Sequence, residues 1–191
     1  MEKKIRCPWS GTTNELMIKY HDEEWGRPVH DDQLLYEFLI LEGAQAGLSW
    51  STVLNKRENF RKAFDNFDYK KIARYDEQKI VILLQNEGII RNKLKINSAI
   101  NNANRFLEVQ KEFGSFDAYI WKFVDNKPIQ NNIKAMGDIP ASTELSDKIS
   151  KDLKKRKFNF VGTTIMYAFM QAVGIVNDHI ETCFCNQELR K

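Results

Sequence analysis

Glu42 stands inside LLYEFLILEGAQAGLSW, the most apolar stretch of the N-terminal half. On a helix it falls one turn after Phe38 and two turns after Leu35, on the face of both. An anion on a core-facing stripe is costly to bury, so it must either pair or work. The alternative is a Glu at a helix end whose head reaches solvent. Trp50 follows at i+8, near the same face, across a break at Gly47. A carboxylate beside an indole can hold a flat, electron-poor ring. Gly43, Ala46 and Gly47 are small enough for another backbone or a ligand to come close. Leu48, next to Gly47 at a helix-to-helix turn, makes an exposed apolar tip. Such tips wedge into a base stack when a nucleotide is extracted.

Three further groups could join this chemistry. Trp9, Tyr20 and Trp25 lie in CPWSGTTNELMIKYHDEEWG, which lacks a helical apolar rhythm. They form either simple packing or the wall of a stacking pocket with the Tyr20 hydroxyl on an edge. Cys7 and His21 lie near one end, His179 and Cys183 near the other; four N/S ligands of this type suit tetrahedral Zn2+. The spacing of His179 and Cys183 is i, i+4, so a helix would point both one way, and Cys185 away. The alternative is free thiols and surface histidines, as His30 is expected to be. The third group is NEGIIRNKLK, residues 86–95. A helix ending at Gly88, a tight Ile-Ile turn and a helix opening with Arg91, Lys93 and Lys95 resemble a helix–hairpin–helix. Backbone N–H groups at such a helix start bind a phosphate, and the basic residues add charge. A plain connection between helices fits this segment equally.

The elements that must position these residues are helical throughout. Asp31-Asp32 open a helix over 31–46, Ser51 caps one through Phe64, and Asp76 caps one carrying Ile80, Leu83 and Leu84. Ile96, Ile100, Ala103 and Leu107 trace an apolar stripe, as do Phe116, Tyr119, Ile120 and Phe123. Leu145, Ile149 and Leu153 repeat after a Ser142 cap signal. TTIMYAFMQAVGI, 163–175, is apolar nearly all round and reads as a central buried helix. Residues 125–141 read as a loop, and no strand is expected. The fold class is all-α. With 191 residues, one domain is expected. Hydrophobic residues are 42% and charged residues 29%, a soluble globular balance. The 29 basic and 26 acidic residues leave +3, too little to prove a polyanionic partner. The runs KISKDLKKRK and NKRENFRK are solvated faces or one side of a DNA-binding surface. Three Cys do not suggest a disulfide framework, so a reduced cytoplasm is expected. Neither a secretory signal nor a membrane span is expected.

In this order, YHDEEWG (20–26), LEGAQAGLSW (41–50), VLNKRENFRKAFDNFD (53–68), GIIRNKLKI (88–96), KFNFVGTTIMYAFMQAVGIVNDH (157–179) and Cys183 resemble the DNA-3-methyladenine glycosylase I family. That family lies in the helix–hairpin–helix glycosylase superfamily. The resemblance spans nearly the whole chain. It implies two helical lobes in one domain, a terminal one over about 1–35 and 140–191 and a hairpin lobe over about 36–139. It implies one structural zinc on Cys7, His21, His179 and Cys183. The base pocket would be Glu42 and Tyr20, walled by Trp9, Trp25 and Trp50. Gly47-Leu48 would plug the gap left by the flipped nucleotide, and Gly88, Arg91, Lys93 and Lys95 would grip phosphates of double-stranded alkylated DNA. The implied reaction excises 3-methyladenine by a monomer, with Glu42 reading the cationic base. Asp117 is assigned no role. The chain departs from the family's pattern at Ala168, where many relatives carry Ser, and at Met17, where an aromatic is common. The rival readings are a non-catalytic helical nucleic-acid-binding module and a zinc hydrolase.

Overall fold

The computed structural model describes residues 4–190. Ten α-helices and two dipeptide strands are formed among these residues, so the all-α expectation holds. After a 3-10 turn at Pro8–Ser10, α1 (Glu15–Glu23) is capped by Asn14, α2 (Asp32–Gln45) by Asp31 and α3 (Trp50–Ala63) by Ser49. In each case a side-chain oxygen takes an otherwise orphaned N–H. The cap of α3 is therefore Ser49 rather than Ser51. Ser49 leaves the sharp Gly47 turn with extended backbone, the conformation an N-cap needs. Asp68 caps the short α4 (Tyr69–Ile72), and Asp76 caps α5 (Glu77–Gln85) as expected. Asn92 caps α6 (Lys93–Phe113), and Ser115 caps α7 (Phe116–Trp121). A capping box of Thr143 and Ser146, one residue past the expected Ser142, starts α8 (Glu144–Lys155). Next come α9 (Thr163–Ala172) and α10 (Phe184–Leu189).

The axis of the fold is α2, on which every residue from Leu35 to Ala44 is buried. It packs against α3, α6, α7 and α9, so its whole circumference needs apolar side chains, and its sequence supplies them except at Glu37 and Glu42. α9 is the second apolar helix, but it stops at Ala172. Gly174 turns the chain at φ +72, and a Cβ there would stand 2.3 Å from the Arg27 carbonyl carbon. The close approach lets Gly26 and Val29 donate to the carbonyls of Gln171 and Val173. On α6 the buried apolar positions are Ile96, Ala99, Ala103, Phe106 and Val109. Ile100 is only partly buried and Leu107 lies outside the core. The stripe thus leans one position towards Phe106, which stacks on Phe116 at 4.2 Å.

The loop at 125–141 is more ordered than its Gly, Pro and Asn suggest. Its β1 (Ile129–Gln130) pairs in parallel with β2 (Val176–Asn177), and Ile133 bridges Ile180. The connection is stitched to the segment that carries His179. Among the described residues, no helix is long and apolar enough to cross a membrane.

Candidate active site

A cavity of ≈ 420 Å³ opens between α1, α2, α3 and α9. Trp9, Tyr20, Trp25, Glu42 and Trp50 all line it. Tyr20 is the centre of the aromatic wall, 5.1 Å from Trp50 and 6.2 Å from Trp9 by ring centroid. Trp9 meets Trp25 edge-on at 4.9 Å. Tilted and edge-on contacts of this kind leave ring faces free to stack on something else. The indole N–H groups of Trp9 and Trp50 are buried without a hydrogen-bond partner among the described residues. Two orphaned donors in one cavity are unusual, because buried polar groups are nearly always satisfied. Met17 and Ala168 also line it, together with Gln45, Gln171, Met136 and Ile139. The last two come from the 125–141 connection, and no sequence signal points to them. Gln171 was visible as the one amide in the apolar run of α9.

The two buried acids of α2 have opposite environments. Glu37 is 5% exposed and receives Arg57 and Arg61; Arg57 also reaches Glu24 at 2.6 Å. Glu42 is 4% exposed and has neither an ion pair nor a hydrogen bond among the described residues. Burial alone pushes its carboxyl from 4.5 up to about 8. The Tyr20 hydroxyl is held well above its ordinary range, first by burial and then by the neighbouring Glu42 charge. It is therefore a proton-bearing donor at any neutral pH.

At the C-terminus of α2, Gly47 takes φ +77 with open space around it, so its conformation, not crowding, calls for glycine. Leu48 follows, 41% exposed, and a second cavity of ≈ 230 Å³ runs from Glu42 past Gly47 and Leu48 to Thr164. Lys95 is not the free cation its spacing suggests. Its amine donates to the carbonyls of Ala44 and Ala46, both at 2.8 Å, and caps the end of α2. Arg91 and Lys93 are exposed at the hairpin. Gly88 donates its N–H to Asn86 Oδ1, while Lys56 and Asn59 of α3 donate to its carbonyl. Arg57 and Arg61 are committed to acids, as is Arg156, to Glu112 and Asp152. These three are removed from the basic face expected of the two Lys/Arg runs. His30 is exposed as expected and meets Asp117 at 2.7 Å.

Cys7, His21, His179 and Cys183 converge, all fully buried, with their ligand atoms within 4.8 Å of one another. His179 and Cys183 do not share a helix. The segment between them is a bridge and a turn, and Cys183 is the N-cap of α10. A tetrahedral ion bonded at about 2.3 Å to sulfur and about 2.05 Å to nitrogen puts S···N edges at roughly 3.5 Å. The distances from Cys7 Sγ to His179 Nδ1, from Cys183 Sγ to His179 Nδ1 and from Cys183 Sγ to His21 Nε2 are each 3.5 Å. The remaining ring nitrogens are taken: His21 Nδ1 meets Asp22 Oδ1 at 2.8 Å, and His179 Nε2 meets the Trp25 carbonyl at 2.9 Å. That fixes both tautomers with a lone pair aimed inward. Cys185 does not point away. It is buried beside the cluster, 3.8 Å from the His21 carbonyl. The cluster also buttresses the cavity, for Trp25 lies edge-on to His179 at 4.6 Å and Trp9 lies 5.2 Å from His21.

Comparisons with known proteins agree with this geometry. Residues 9–186 match the methyladenine glycosylase family. A DNA-3-methyladenine glycosylase of Haemophilus influenzae is 48% identical over 94% of this chain and 97% of its own length. DNA-3-methyladenine glycosylase 1 of Escherichia coli is also 48% identical, over 94% of this chain and 96% of its own. A solved 3-methyladenine DNA glycosylase I of Staphylococcus aureus, studied for its recognition of 3-methyladenine, superposes with a TM-score of 0.91 at 31% identity. That match covers 95% of this chain and 96% of the other. The chain belongs to the methyladenine glycosylase family.

Proposed function

We propose that this chain is a DNA repair glycosylase that flips 3-methyladenine out of alkylated DNA and hydrolyses its N-glycosidic bond, leaving an abasic site. The observation that carries this reading is the contrast between Glu37 and Glu42. One buried acid on α2 has two arginines. The other lines an aromatic cavity and has none among the described residues. A cationic ring supplies the missing partner.

The chemistry follows from the charge of the damaged base. 3-Methyladenine is positive in the nucleoside, so its bond to the sugar is already weak. When that bond breaks, its electrons go to the base and neutralise it, and water adds to the sugar with loss of a proton. No acid has to protonate the leaving group. The protein must extract the base, favour its cationic form and stabilise charge as the bond opens. Glu42 accepts from the N–H edge of the base, and a cation beside it reverses the burial cost that raises its pKa. Tyr20 donates from the opposite side, with Trp9, Trp25 and Trp50 as stacking faces. Leu48 fills the gap in the duplex. Arg91 and Lys93 contact the backbone phosphates, Gly88, its N–H taken by Asn86, shapes the hairpin turn, and Lys95 holds the Gly47-Leu48 turn from behind.

Zn2+ is the ion that suits Cys7, His21, His179 and Cys183, and its role is structural. Four protein ligands would fill a tetrahedron, and all four residues are buried, which argues against a zinc hydrolase. The working unit is a monomer on double-stranded DNA. The test is release of free base from methylated duplex DNA by the purified protein, read by chromatography. 3-Methyladenine should appear at least tenfold faster than 7-methylguanine, roughly the discrimination a shaped cation pocket supports. Binding to DNA without any base release would favour the non-catalytic module instead.

A further inference from the structure

Gln171 lines the cavity, and a group outside it fixes its orientation. Its side chain sits at the last turn of α9, where its backbone carbonyl accepts from Gly26 at 2.9 Å. Its Nε2 donates to Asp178 Oδ2 at 2.8 Å. Asp178 is fully buried, and its other partners are the Tyr167 hydroxyl and Asn131 Nδ2, both at 2.6 Å. A carboxylate carries no hydrogen, so an amide facing it must present its NH2. The reverse orientation would set Gln171 Oε1 against Asp178 Oδ2, oxygen against oxygen. With its nitrogen held on that side, the carbonyl oxygen of Gln171 has no hydrogen-bond partner among the described residues, and the residue lines the cavity.

We propose that Asp178 positions the Gln171 carbonyl as a second acceptor in the cavity, and that Gln171 selects bases bearing an exocyclic amine at position 6 over those bearing an oxygen there. The inference rests on the base-pocket reading above and deepens it. Glu42 on α2 and Gln171 on α9 line the cavity from two helices. An amine carries two N–H groups, one for each acceptor. A 6-oxo ring of the same shape brings an oxygen to the Gln171 carbonyl, which has no hydrogen to give it, and only the protonated form of Glu42 can donate to it. Stacking on the indoles does not distinguish the two rings, so the discrimination falls on these acceptors.

The test measures tryptophan-fluorescence titrations of free 3-methyladenine and free 3-methylhypoxanthine, which differ at position 6. Wild type should favour 3-methyladenine. Gln171→Met keeps the volume and removes the acceptor; it should weaken 3-methyladenine roughly tenfold and change 3-methylhypoxanthine by less than about twofold. Asp178→Asn frees the Gln171 amide to turn round and should move the preference the same way. A purely structural role for Gln171 would weaken both bases equally, and that result, or an unchanged ratio in Gln171→Met, overturns the assignment. A wild-type protein that binds neither base sinks the pocket reading itself, and this inference with it.

Discussion

Replacing Glu42 by Gln should make the protein more stable and a poorer enzyme. The carboxyl has a pKa of about 8 in the folded chain against 4.5 without burial. A raised carboxyl favours its neutral form, so the folded state is penalised once the unfolded chain begins to ionise. The penalty starts near pH 4.5 and grows until the folded group ionises near pH 8. At about 1.36 kcal/mol per unit, it is about 3 kcal/mol at pH 7 and approaches about 5 kcal/mol by pH 9. Gln has nearly the same shape and no ionisation, so Glu42→Gln removes the slope. Urea unfolding at pH 5, 7 and 8.5 measures it. The wild type should lose stability relative to the variant across that series, while the variant's base release falls by roughly 30- to 100-fold, the loss of one charge-assisted contact. A variant no more stable than wild type at pH 8.5, or parallel pH slopes, would refute the claim that Glu42 is buried without a partner. Full retained activity would remove it from the mechanism.

The same reasoning sets other outcomes. Cys7→Ser should lower bound zinc, measured by mass spectrometry of the native protein, and depress Tm by roughly 10 °C, since structural metal binding is folding free energy. Leu48→Ala removes an exposed side chain, so Tm should hold within about 1 °C while excision from duplex DNA falls roughly tenfold and free-base affinity stays constant. Gly174→Ala drives a Cβ to 2.3 Å from backbone at a left-handed φ. It should cost about 3 kcal/mol or more in chemical unfolding; a loss under about 1 kcal/mol would show that the turn yields.

The sequence made Glu42 legible because an apolar helix is periodic and a carboxylate breaks the period. It made Asp76 legible as a cap, and the helical fold with it. It did not separate Glu37 from Glu42, since both stand in the same apolar run. The difference lies in Arg57 and Arg61, which arrive from α3 by packing, a relation no local pattern encodes. Those arginines were legible only as charge, and charge alone suggested a DNA face. His179 and Cys183 were read as helical neighbours. They do converge, but through a bridge and a turn held by the strand pairing of β1 with β2. Cys185 was misplaced for the same reason. Gln171 was visible as an amide in an apolar helix, but its direction was not, because what orients it, Asp178, comes after the helix has ended.

The residues of the Cys/His cluster and those of the cavity interleave along the chain. Cys7 precedes Trp9, Tyr20 precedes His21, and Trp25 gives its carbonyl to His179. A ligand and a cavity wall two residues apart cannot move independently. This arrangement accounts for a fold that brings its two ends to a buried cluster beside the aromatic wall rather than at a distant surface. Three of the five proposed base contacts, Trp9, Tyr20 and Trp25, lie in the N-terminal segment, of which α1 is the only helix longer than one turn. So short a helix is marginal by itself and takes its order from tertiary contacts. Glu42 and Trp50, by contrast, belong to long helices fixed by the core. The cavity therefore joins a rigid half, which carries Glu42, to a half whose aromatic faces lie against the Cys/His cluster.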